Sequence, residues 1–88
     1  MLSIREKITH AILAHHIIQF NYRKENGEMG ARTGEPYEIR TTREGKEILI
    51  IWDLSKNAWR SFHMETIKGV KILKPTFISR RMRYKVFG

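Results

Sequence analysis

Frequent turns limit what this sequence can build. Between Ile18 and Pro75, five short segments with the composition of β-strands are separated by four turn signals, so no element there can be long. The first segment alternates Ile18, Phe20 and Tyr22 with Gln19, Asn21 and Arg23, the pattern of a strand with one buried face. Asn26-Gly27 then predicts a hairpin turn, because both residues tolerate positive φ. The return segment, residues 32–41, contains Pro36, which lacks a ladder donor and predicts an irregular or edge position. Glu44-Gly45 marks the next turn. Glu47–Asp53 is almost wholly apolar and rich in β-branched residues, as a strand buried on both faces would be. Beyond a turn at residues 53–57, Ala58, Arg60, Phe62 and Met64 alternate with Trp59, Ser61 and His63. Glu65-Thr66 turns the chain into a last strand over residues 67–73, which Pro75 is expected to stop.

The N-terminal stretch has a different period. Ser3 is a good N-cap, and Glu6 three residues later completes a capping box. Ile4, Ile8, Ala11 and Ile12 then share one helical face, and the helix should fade near residues 14–16. One helix followed by five short strands predicts a mainly-β fold: a five-stranded, strongly bent small barrel. Trp52, Phe62 and Trp59 are its expected aromatic core. Neither an internal repeat nor a low-complexity linker interrupts the 88 residues, so a single domain is expected.

Charge narrows the function. Seventeen Lys and Arg face nine Asp and Glu, a formal charge of +8 and a pI near 10.2. Residues 1–44 carry seven basic and six acidic side chains, whereas residues 45–88 carry ten and three. After Glu65 no acid remains, while Lys68, Lys71, Lys74, Arg80, Arg81, Arg83 and Lys85 follow. Such asymmetry favours an anionic partner, nucleic acid foremost. With no cysteine, disulfides and thiolate metal sites are excluded. The longest apolar run, Ile48 to Trp52, is far too short to span a bilayer, and residues 1–12 lack a signal-peptide core. The expectation is a cytoplasmic protein with no membrane partner.

Catalytic constellations are not apparent. His10 and His15 do not share a helical face, and His15 and His16 point apart, so the four histidines read as surface or helix-end residues. Ser61 and Ser79 have no evident base, and Gly27, Gly30 and Gly34 lack the Lys-Ser/Thr ending of a phosphate loop. A non-enzyme without cofactor or metal is expected. A better signal is the interleaving of cations with aromatics: Arg32 with Tyr37, Trp59 with Arg60, and Arg80, Arg81 and Arg83 with Tyr84 and Lys85. Small barrels bind single strands by this combination, cations tracking phosphates while rings stack on bases.

A helix leading into Ile17-Ile18-Gln19-Phe20-Asn21-Tyr22, Arg32 with Pro36 four residues later, the apolar strand ending Trp52-Asp53, and Trp59-Arg60-Ser61-Phe62 with Ile67 come in a telling order. Together they resemble the WYL domain. The resemblance covers roughly residues 4–77, and the last part is also similar to small stand-alone SH3-type barrels encoded by phages. It implies an Sm-like, SH3-type barrel that senses a ligand or nucleic acid through a groove lined by arginines, usually attached to a helix-turn-helix in bacterial regulators. Carried over residue by residue, it makes Arg32 and Arg60 groove candidates. The name-giving triplet aligns with Glu47-Ile48-Leu49, and the arginines expected after Arg60 are here His63 and Thr66.

The expected organisation is a domain over residues 1–77 with a basic tail, residues 78–88. The candidate anion-binding set is Arg32, Tyr37, Arg60, His63, Arg80, Arg81, Arg83 and Lys85, with the tail expected to be a mobile arm. The leading expectation is a nucleic-acid-binding regulatory or accessory barrel. Its rivals are a module docking on a larger nucleic-acid-processing complex and a sensor of a nucleotide-like anion.

Overall fold

A computed structural model describes residues 1–81. Helix α1, Ile4–Ala14, is followed by strands β1 (His16–Arg23), β2 (Met29–Thr41), β3 (Glu47–Asp53), β4 (Ala58–His63) and β5 (Ile67–Thr76). A single 3₁₀ turn, Met64–Thr66, joins β4 to β5. All neighbouring strands are antiparallel, in the order β4-β3-β2-β1-β5. The mainly-β class, the N-terminal helix and the five strands among the described residues are those expected from the sequence.

Local chemistry explains the boundaries. The Glu6 N–H donates to Ser3 Oγ at 3.1 Å while Ser3 N–H donates to Glu6 Oε1 at 3.0 Å, closing the capping box. His15 ends the helix in the left-handed region, φ 57°, as a C-cap. At the first hairpin only Gly27 of the Asn26-Gly27 pair takes positive φ, 86°. Gly27 N–H donates to Lys24 O and Lys24 N–H to Glu28 O, a three-residue loop ending in a glycine bulge rather than the two-residue turn that Asn-Gly suggests.

The expectations for β5 and β3 need correcting, while that for β2 holds in its irregular form. β2 is the central strand, and its register shifts between Pro36 and Glu38. Pairing with β1 ends at Gly34, so the missing Pro36 donor costs no β1 ladder bond. β5 runs through Pro75 to Thr76, because it is an edge strand whose pairing with β1 is irregular between Ile18–Ile72 and His16–Thr76. Finally, β3 alternates: Leu49, Ile51 and Asp53 are fully buried, while Ile48, Ile50 and Trp52 lie partly covered on the other side. Trp52 and Trp59 are therefore outside the core.

The core occupies the inner face. Ile8 and Ala11 of α1 pack with Ile18, Phe20, Tyr22, Leu49, Ile51, Phe62 and Ile67. Phe62 meets Phe20 and Tyr22 edge-on, at centroid separations of 5.0 and 4.9 Å. Burying such a side chain contributes roughly 1.5–3 kcal/mol, so these rings fix β4 against β1 across the bend.

Candidate anion-binding site

Asp53 organises the site. It follows Leu49 and Ile51 in phase, so the strand period delivers a carboxylate to the core face, where its side chain is fully buried. Oδ1 accepts from Ser55 Oγ at 2.7 Å, Ser55 N–H at 2.9 Å and Lys56 N–H at 3.4 Å. Oδ2 faces two guanidinium groups: Arg60 Nη1 at 3.4 Å and Arg32 Nε at 3.5 Å. Burial pushes the Asp53 carboxyl up, but the Ser55 hydroxyl, the two backbone donors and the charge of Arg32 outweigh it and hold the pKa below the usual carboxylate range.

The two arginines reach this carboxylate from different strands. Across the ladder Asp53 lies opposite Gly34 and Ala58, and each arginine stands two residues along from one of those partners. Arg60 Cζ lies 4.9 Å from the Phe62 ring centroid, and Arg32 Cζ 6.0 Å from that of Tyr22. Their side chains are 35% and 25% exposed, so each keeps part of its surface in solvent while packing against a ring. Arg32 Nη1 donates to Ala31 O at 3.3 Å, whereas Nε is buried and makes no hydrogen bond among the described residues. Two cations against one carboxylate leave a net positive site with directed donors, suited to a phosphate or carboxylate oxygen.

The other candidates lie elsewhere. Glu35, Trp52 and Trp59 form one cross-strand row on the outer face, and Tyr37 packs edge-on against Trp59 at 4.7 Å. Residues 77–81 cross this row, so the arm expected to be mobile is pinned as far as Arg81. Arg80 Nε donates to Glu35 Oε1 at 3.0 Å, and Arg81 Nη1 pairs with Glu38 at 3.3 Å. Tyr37, Arg80 and Arg81 thus form a second cluster, separated from Arg32 and Arg60 by the sheet. His63 is exposed at the end of β4, opposite Ile48. Arg83 and Lys85 lie outside the described residues.

Two organising residues were not among the candidates. Asp53 is the only aspartate in the chain and stands in phase with the buried positions of β3, a signal the sequence does carry. Glu35, with only 8% of its side chain exposed, gave no such signal, because the shift after Pro36 hides which face it takes.

A helix packed on an antiparallel sheet, with arginines from β2 and β4 gathered on a buried aspartate, defines a small mainly-β domain. The chain matches the WYL domain model over residues 3–72 and belongs to that family. It is 35% identical over 78 residues to YobV, an uncharacterized HTH-type transcriptional regulator of Bacillus subtilis (strain 168). That match takes in 89% of this chain and 25% of the regulator, so the chain spans about a quarter of the relative's length. Proteasome accessory factor B/C (PafBC) of Arthrobacter aurescens shares the fold, with a TM-score of 0.73 and 17% identity over 80% of this chain and 11% of that one. No described helix is long and apolar enough to cross a membrane.

Proposed function

We propose that this WYL domain is a nucleic-acid-binding regulatory module, non-enzymatic, that engages phosphates of a single strand at Arg32 and Arg60. The observation carrying this reading is the shared Asp53 carboxylate, which orients two guanidinium groups and neutralises only one. The formal charge of +8 supplies long-range attraction for a polyanion. Kinship with an HTH-type transcriptional regulator supports a regulatory setting.

Fluorescence anisotropy with a labelled single-stranded oligonucleotide tests it. About four neutralised phosphates on a single strand give a log–log salt slope of about −3. Affinity unchanged between low and moderate salt would remove the reading. Saturable binding of a mononucleotide with no preference for longer strands would replace it with that of an anion sensor.

A further inference from the structure

The row Glu35–Trp52–Trp59 on the outer face, with Tyr37 beside it, has the chemistry of a receptor for arginine. Glu35 presents both carboxylate oxygens to Arg80, Oε1 at 3.0 Å from Nε and Oε2 at 3.4 Å from Nη2. Arg80 Cζ lies 4.2 Å over the Trp52 ring. Tyr37 Oη accepts from the Arg80 backbone N–H at 2.9 Å and donates to Glu35 Oε1 at 2.9 Å, so one hydroxyl fixes both acid and incoming backbone. A second seat lies alongside: Arg81 Cζ stands 5.5 Å from both the Tyr37 and Trp59 rings and pairs with Glu38.

The two-oxygen contact with Glu35 and the stacking on Trp52 select a planar guanidinium over a spherical ammonium, while Tyr37 holds the backbone that carries it. A fork of donors matches a carboxylate edge, and a flat cation stacks on an indole. The receiving groups all belong to β2, β3 and β4, where cross-strand pairing holds Glu35 beside Trp52 and Trp52 beside Trp59 whether or not the tail is present. With the tail seated Glu35 is nearly buried, and the cation of Arg80 meets the carboxylate that the contact covers. The site is thus formed by the sheet and filled by a short segment of the same chain.

We propose that this outer face is a recognition site for an arginine pair in a peptide, occupied in the free chain by Arg80 and Arg81, which give way to the arginine pair of a partner protein. The site lies across the sheet from Arg32 and Arg60, and the proposal stands whether or not those residues bind nucleic acid.

The test uses the full chain with Arg80→Ala and Arg81→Ala, titrated with a capped Phe-Ile-Ser-Arg-Arg peptide and followed by the indole N–H resonances of Trp52 and Trp59. Saturable shifts of both resonances are expected at up to millimolar peptide. The lysine version of the peptide should bind about tenfold more weakly. The unaltered chain should also bind the peptide about tenfold more weakly, because its own tail competes at millimolar effective concentration. Adding Glu35→Gln to the double variant should abolish the shifts. No shift, equal binding of the lysine peptide, or equal binding by the unaltered chain would each overturn the proposal. If the double variant melts too low to titrate, Arg80→Ala alone, which keeps the Arg81–Glu38 pair, is read by the same criteria.

Discussion

Gly34 stands directly across the β2–β3 ladder from Asp53, and it leaves no room for a side chain. A Cβ at this position would lie 2.6 Å from Trp52 O and 3.0 Å from Ile51 Cδ1. The backbone carbonyl cannot step aside without moving β3, and β3 carries Asp53. Gly34→Ala should therefore destabilise the domain by about 1–3 kcal/mol, the usual range for overpacking. Thermal melting checks it, with an expected fall of several degrees; an unchanged melting temperature would mean that β3 shifts freely.

Asp53 should leave a signature in the pH dependence of stability. Its carboxyl titrates lower when folded than the value of about 3.9 in an open chain. The ionised form thus favours the folded state, and the contribution is complete above that open-chain value. It is lost as pH falls through the lower folded value. Asp53→Asn should cost about 1–3 kcal/mol near neutrality by removing a buried hydrogen-bonded charge. The gap between the variant and the parent should then narrow below about pH 4. Denaturant melts across acid pH measure this, and a constant gap would show that the charge is not what holds the turn.

How much of this could be read from the sequence depends on which residues set each feature. The helix is encoded locally by Ser3, Glu6 and the Ile4–Ile8–Ala11–Ile12 face, and its observed limits match. Strand identity was legible from period two in β1 and β4 and from apolar, β-branched composition in β3, whose alternation the run of isoleucines conceals. The face of β2 was not, because the irregularity after Pro36 changes which side chains point outward and no propensity reports a bulge. The pairing of Arg32 and Arg60 through Asp53 joins residues on three strands, and strand order is a tertiary property. The seating of Arg80 and Arg81 depends on Glu35 and Trp52, which lie far away in sequence, so a basic tail looked like a free arm.

Tyr37 couples two acceptor–donor relations, and its removal should be felt on both. Burial first, together with the bond to Glu35 and its charge, raises the Tyr37 pKa despite the opposing effect of Arg80, so the phenol stays protonated and able to donate at neutral pH. Tyr37→Phe keeps the ring against Trp59 but takes the acceptor from the Arg80 N–H and leaves Glu35 Oε1 with Arg80 Nε as its remaining donor. The expected cost is about 0.5–1.5 kcal/mol, with faster hydrogen exchange at the Arg80 amide. An Arg80 amide that exchanges at its parental rate would show that its protection comes from something other than the phenol.

Arg60 separates stability from binding. Its side chain is one-third exposed, and Asp53 would keep Ser55, Lys56 and Arg32 as partners if it were removed. Arg60→Ala should therefore cost at most about 1 kcal/mol, as partly exposed ion pairs do. On the binding side it deletes a donor whose direction is set by the β4 backbone and the Phe62 ring, so oligonucleotide affinity should fall while the salt slope flattens by only about 0.7, the share of one phosphate. Arg60→Lys should restore the slope without restoring affinity, since an ammonium keeps the charge and loses the planar fork. Anisotropy titrations at several salt concentrations, run beside thermal melts, distinguish the cases. A variant that melts lower yet binds normally would reduce Arg60 to a brace for Asp53 and remove it from the site.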